Sequence, residues 1–81
     1  MHYIYLLKCD DQKFYIGYSS NLKLRYEQHQ DGKVKSTKNR RPLQLVYYES
    51  YINKKMAEER EKKLKMFGSA YTALLKRLSY K

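Results

Sequence analysis

Two short segments rich in tyrosine and isoleucine, HYIYLLK and KFYIGYS, stand on either side of the polar tetrapeptide CDDQ near the N-terminus. Runs of that length and composition, broken by a turn-forming cluster, predict a β-hairpin. Side chains alternate across a strand, so Ile4, Leu6, Phe14 and Ile16 share one face while Tyr3, Tyr5, Tyr15 and Gly17 share the other. The first face is an aliphatic core surface; the second sets phenols beside a bare glycine. At 81 residues the chain is expected to form one domain, residues 1–81, near the size at which a single core is only marginally self-sufficient.

Downstream of the hairpin, Asn21 is suited to cap a helix, and LKLRYEQHQDG continues helically until Gly32 offers a stop. Leu22, Arg25, Tyr26 and His29 then fall at i, i+3, i+4 and i+7, the stripe that a surface helix buries. Arg25 and His29 therefore occupy positions where apolar residues belong. A buried guanidinium needs a partner, and a bound phosphate is one; for His29 the alternative is a packed, hydrogen-bonded structural histidine. GKVKSTKNRRP carries five cations and no acid and reads as a basic loop, and LQLVYYESYI reads as a third strand. Asn53 can cap a second helix, KKMAEEREKKLKMF, closed by Gly68, and Ser69 a third, AYTALLKRL. Tyr71, Leu74, Leu75 and Leu78 give the third helix a plain core stripe. On the second, Met56, Ala57, Leu64 and Phe67 form the apolar face and Glu61 lies at its edge, where an ordinary i+4 pair with Lys65 is the simplest account of it.

Eighteen Lys and Arg against eight Asp and Glu leave a net charge of +10, a balance that fits nucleic acid or an anionic membrane as partner. No helix combines a basic face with exposed large apolar residues, which argues against the membrane. The apolar run Tyr3 to Leu7 is too short for a signal-peptide core or a transmembrane helix, so a soluble, cytoplasmic protein is expected. Cys9 stands alone, which excludes an internal disulfide, and Cys9, His2 and His29 make no convincing zinc set. Lys33, Lys35, Lys38, Arg40 and Arg41 are the natural group to track a phosphate backbone; a solvated loop that only confers solubility is the plain alternative.

The ordered set of fragments resembles a known family. YIY at Tyr3 to Tyr5, followed by YIG at Tyr15 to Gly17, is similar to the pair of motifs that names the GIY-YIG nuclease superfamily. The likeness continues through NLKLRYEQH, STKNRRPLQLVYYES and AEEREKKLK, and is nearest to the small stand-alone bacterial members. It implies an α+β (α/β) fold, a three-stranded antiparallel sheet flanked by about three helices in the order ββαβαα. It also implies a metal-dependent endonuclease activity on DNA. The family's two motif tyrosines fall on Tyr5 and Tyr15, its arginine on Arg25, its histidine on His29 and its metal-binding glutamate on Glu61. Two departures stand out: Tyr3 replaces the first motif's glycine, and Ser36 precedes Thr37 where some relatives carry tyrosine.

On this reading Glu61 holds one divalent ion, Mg²⁺ with Mn²⁺ as a candidate substitute, because a lone carboxylate completed by water and phosphate oxygens suits a hard cation. Arg25 donates to the non-bridging oxygens. Tyr15 orients or deprotonates the attacking water, with Tyr5 sharing or supporting that role and His29 able to take the proton onward. Branched, flapped or damaged DNA met in repair are candidate substrates. With no residues left for a targeting domain, specificity falls to substrate shape or to a partner protein. The competing reading is a nucleic-acid-binding module that kept the fold and cuts poorly or not at all.

Overall fold

The computed structural model describes residues 1–80. Strand β1 spans His2–Lys8, β2 Phe14–Ser19, and helix α1 Leu22–Gln30; a 3-10 turn at Lys38–Arg40 leads to β3, Gln44–Tyr51, followed by α2, Lys54–Lys65, and α3, Ser69–Arg77. The three strands form one antiparallel sheet in the order β2-β1-β3, the α+β arrangement expected. The sheet puts β1 at its centre, which explains why Ile4, Tyr5, Leu6 and Leu7 are all buried in succession. With both faces covered, alternation sorts the side chains by face and not by exposure.

Ile4, Leu6 and Ile16 pack with Ala57 and Leu64 of α2 and Leu74 and Leu75 of α3, with Phe14 against the same cluster. On the opposite face Tyr5 and Leu7 join Cys9 and Leu43, against which Tyr15, Leu22 and Tyr26 pack. The two faces are those the hairpin alternation predicts. Each is closed by a different part of the chain, one by α2 and α3 and the other by α1 and the segment leading into β3. An irregularity in the β1–β3 register between Leu6 and Leu7 leaves Val46 unpaired, with Leu6 opposite Tyr47 and Leu7 opposite Leu45. Val46 and Tyr47 thus both reach the aliphatic cluster, a local kink typical of a β-bulge.

Helix ends follow the expected capping chemistry at two of three starts. The Asn21 side chain accepts from the Leu24 amide, and that of Asn53 from the Lys55 and Met56 amides. Ser69, expected as the cap of α3, is instead its first helical residue; Gly68 holds the cap position and offers no side-chain bond. Helix α2 stops at Lys65, two residues short of the expected end. Phe67 adopts a left-handed backbone (φ 54°) and, with Met66, lies exposed. The apolar face of α2 is accordingly narrower than expected, because Met56 is also exposed and only Ala57 and Leu64 are buried.

The position between those two is filled by Arg60, which meets Glu49 of β3 in a two-pronged pair with Nε and Nη2 each 3.0 Å from a carboxylate oxygen. Tyr47 and Tyr51 donate their hydroxyls to the same carboxylate. Burial works to raise the Glu49 carboxyl, but the hydrogen bonds from Arg60, Tyr47 and Tyr51 outweigh it and hold its pKa below the usual carboxylate range. Neither helical nor strand periodicity flags a charge pair at these positions; it appears only when α2 crosses β3. Arg60→Ala is expected to cost about 2 kcal/mol in urea denaturation, below the value for a wholly buried pair because the arginine is partly exposed. Lys62→Ala, at an exposed position of the same helix, should stay within about 0.5 kcal/mol. Equal losses in the two variants would mean that the Glu49 pair does not anchor α2.

Candidate active site

The phenolic face of the hairpin acquires its geometry from one missing side chain. Tyr5 lies directly opposite Gly17 across the β1–β2 ladder, and its ring crosses β2 there. A Cβ at position 17 would sit 2.3 Å from both Cζ and Oη of Tyr5, so any larger residue would expel the ring. The glycine that ends the YIG motif therefore provides space for the tyrosine that ends YIY, and its backbone needs no unusual torsion.

Helix α1 places His29, fully buried, above that ring. The Tyr5 hydroxyl and His29 Nε2 are 2.7 Å apart, and His29 Nδ1 is 2.7 Å from the Thr37 hydroxyl. Tyr15 completes the group, its ring centroid 5.3 Å from that of His29 and 6.4 Å from that of Tyr5. Unlike Tyr5, the Tyr15 hydroxyl has no hydrogen-bond partner among the described residues. Arg25, half-buried one turn before His29, donates to Gln28 Oε1 at 3.2 Å and has no carboxylate partner among the described residues.

Electrostatics tie these groups together. Burial pushes the Tyr5 phenol up to about 12, opposed by the Arg25 guanidinium beside it and reinforced by Tyr15 and the Glu61 carboxylate. Burial, and then the charge of Arg25, push His29 down to about 4. His29 is thus a neutral imidazole at physiological pH, and the local positive charge is that of Arg25. Glu61, with its side chain about one quarter exposed, stands on α2 with its Oε2 3.0 Å from Lys65 Nζ. The structure therefore contains the ordinary i+4 pair, and the Glu61 charge is the weakest of the influences on Tyr5. No group of three His, Cys, Asp or Glu side chains able to hold a metal occurs among the described residues. A single carboxylate leaves most of a coordination shell to water, which Mg²⁺ tolerates and zinc sites do not; the donor set fits a hard, largely hydrated cation.

The basic segment is more ordered than a free loop. Val34 and Thr37 are buried, and Lys38–Arg40 form the 3-10 turn. Arg40 pairs with Asp11 at 2.9 Å, while Arg41 donates to the carbonyls of Lys38 and Gln30. The Arg41 guanidinium packs against Gly32, whose left-handed backbone (φ 74°) ends α1. Both arginines thus have partners within the fold. Lys33, Lys35 and Lys38 are exposed and without ion pairs among the described residues. A cleft of about 390 Å³ bounded by Tyr3, Asn21, Lys23, Tyr26 and Tyr48 opens on the same sheet face, but none of the five candidate catalytic residues lines it.

Sequence pattern assigns no role to the Thr37 hydroxyl or to the space left by Gly17. Gly17 was visible on the phenolic face, but nothing in a strand pattern says which ring crosses it. Thr37 carries no signal at all, because it lies in a polar segment without periodicity.

A profile described as the GIY-YIG catalytic domain matches residues 1–77, and the chain belongs to that family, a family of endonucleases that act on DNA. It is similar to a UPF0213 protein of Staphylococcus haemolyticus, with 45% identity over 68 residues covering 83% of each chain. It is also similar to one of Clostridium perfringens, with 44% identity over 62 residues covering 75% of this chain and 67% of the relative. Among solved structures it resembles the solution NMR structure of a UPF0213 protein from Bacillus halodurans, with TM-score 0.61 and 32% identity over 95% of this chain and 83% of that one.

The buried neutral histidine sets an acid limit on the fold. Its pKa lies below the ordinary 6.5, so as pH falls the unfolded chain takes up a proton before the folded chain does. Stability present above pH 6.5 is lost as pH falls towards 4. The contribution of His29 at pH 4.5 is expected to be about 2 kcal/mol. Urea denaturation at neutral pH and at pH 4.5 should show this excess loss in the wild type and not in His29→Gln. The same pH dependence in both proteins would mean that His29 titrates normally in the fold.

Proposed function

We propose that this chain is a metal-dependent endonuclease that hydrolyses DNA phosphodiester bonds, with branched or damaged DNA in repair or recombination as its substrate class. The observation that carries this reading is the convergence of Tyr5, Tyr15, Arg25 and His29 around Gly17, with an arginine that lacks a carboxylate partner among the described residues beside a neutral histidine. A phosphodiester needs a cationic donor on its non-bridging oxygens, and a guanidinium matches that geometry. Arg25 binds those oxygens and gains strength as charge builds on them in the transition state. Tyr15, whose hydroxyl is uncommitted, positions the attacking water. Tyr5 is committed to His29 and forms the wall that sets where Tyr15 and Arg25 stand.

Glu61 is the residue that would hold Mg²⁺, with Mn²⁺ as substitute. When bound, the ion supplies Lewis-acid stabilisation of negative charge on the phosphoryl group and the leaving oxygen. The exposed Lys33, Lys35 and Lys38 follow the backbone of the substrate. A cytoplasmic location is supported by the free, buried thiol of Cys9 and by the absence, among the described residues, of a helix long and apolar enough to cross a membrane.

One observation favours a second reading. The carboxylate of Glu61 is already engaged by Lys65, as it would be in a DNA-binding module that does not cut. Glu61→Gln separates the two. In the nuclease, Mg²⁺-dependent cleavage of labelled flap, branched and duplex DNA should vanish while DNA binding persists; retained cutting by the variant removes Glu61 as metal ligand, and no cutting by the wild type favours the binding module. For the binding surface, replacing Lys33, Lys35 and Lys38 together by Ala should reduce the slope of log affinity against log salt by roughly two to three units. An unchanged slope would place the DNA elsewhere.

A further inference from the structure

Thr37 stands outside the five residues of the site, yet it is as buried as His29, both at 0% exposure. A buried hydroxyl is costly unless it is satisfied, and here it has two neighbours. They are His29 Nδ1 at 2.7 Å and the Val34 carbonyl oxygen at 3.5 Å. A neutral imidazole has one donor and one acceptor nitrogen, so one of its two hydroxyl partners donates and the other accepts; the Val34 carbonyl, shared with the Thr37 and Lys38 amides, gives the Thr37 proton a second acceptor and favours Thr37 as the hydroxyl that accepts from His29. Nδ1 then carries the imidazole proton and Nε2 is bare. The Tyr5 hydroxyl, 2.7 Å from Nε2, must in turn donate to it. Hydrogen bonds thus run one way, from Tyr5 through His29 and Thr37 to the backbone of residue 34, and such chains strengthen one another.

We propose that Thr37 is a positioning residue of the catalytic centre: it holds His29 in the Nδ1–H tautomer, so that Tyr5 donates inward to Nε2 and turns a lone pair, not its proton, to the rest of the site. The opposite tautomer would place an Nε2–H donor on the Tyr5 oxygen and turn the phenolic proton outwards, where it would meet the donors of Arg25 in place of a lone pair. Thr37 therefore acts at a distance, through two buried side chains, on the residue that holds the substrate. The neutral state of His29 at physiological pH is what makes the choice of tautomer meaningful. The catalytic half of this assignment rests on the nuclease reading; the tautomer does not.

The variants are Thr37→Val, which keeps the shape and removes the hydroxyl, and Thr37→Ser, which keeps the hydroxyl. Without an acceptor at Nδ1, the imidazole is expected to move its proton to Nε2, where Tyr5 can accept it. Long-range ¹H–¹⁵N spectra of the free protein at neutral pH should show His29 protonated at Nδ1 in the wild type and Thr37→Ser, and at Nε2 in Thr37→Val. The Arg25 guanidinium signals should coincide in the first two and be shifted in the third. With Mg²⁺ and saturating enzyme, single-turnover DNA cleavage by Thr37→Val should fall at least about 10-fold with affinity unchanged, and Thr37→Ser should stay within about 3-fold of wild type. An Nε2–H wild type, a Thr37→Val variant that keeps the Nδ1–H tautomer, or unaltered cleavage after the tautomer has moved would each overturn the assignment. If Thr37→Val does not fold, Thr37→Ala enters the same measurements. Should the wild type cut none of the DNA substrates, the nuclease reading falls, and the two NMR signals still decide whether Thr37 orients His29 and Arg25.

Discussion

The buried hydrogen bond between Tyr5 and His29 joins the central strand to helix α1, and the rest of the phenolic face is arranged around it. It brings a side chain from the middle of β1 into contact with one from the last turn of α1, across 24 residues of sequence. Gly17 supplies the space for the ring, Thr37 satisfies the other nitrogen of the imidazole, and Tyr15 packs edge-on against it. Because burial keeps His29 neutral and raises the Tyr5 phenol, the pair introduces no net charge at the centre of the site. Arg25 is then the local positive group, without a neighbouring imidazolium.

A small chain with a large positive balance must place its cations with care. Three arginines are matched: Arg60 by Glu49, Arg40 by Asp11, and Arg41 by the carbonyls of Lys38 and Gln30. These pairings are structural, and they tie β3 to α2 and the 3-10 turn to the β1–β2 connection. The lysines of the segment before β3 are left exposed. Charge is thereby divided between groups that hold the layers together and groups free to meet an anionic partner, a division that net charge alone does not reveal.

The site and the core share the same elements. Helix α2 buries Ala57 and Leu64 beneath the aliphatic face and carries Arg60 and Glu61 side by side, the first anchored to β3 and the second paired with Lys65. A shift of α2 along the sheet would therefore weaken packing and move the carboxylate together. Coupling of this kind is expected where 81 residues must supply both a core and a reactive surface.

The sequence by itself determined the hairpin, its two faces, the start of α1 at Asn21 and of α2 at Asn53, and the stripe on which Arg25 and His29 stand, because strand alternation, helical periodicity and capping are local properties of the chain. It also placed Tyr5, Tyr15, Arg25, His29 and Glu61 in a family pattern, since motif spacing survives without coordinates. Tertiary structure alone decided that Tyr5 passes over Gly17, that Thr37 closes the circuit through His29, that Glu49 and Arg60 meet, and that Arg40 and Arg41 are engaged within the fold. It also decided that α2 ends at Lys65 with Phe67 left exposed. Each of these depends on residues distant in sequence becoming neighbours, and the sign and cost of a buried polar group are set by those neighbours and by no property of the residue alone.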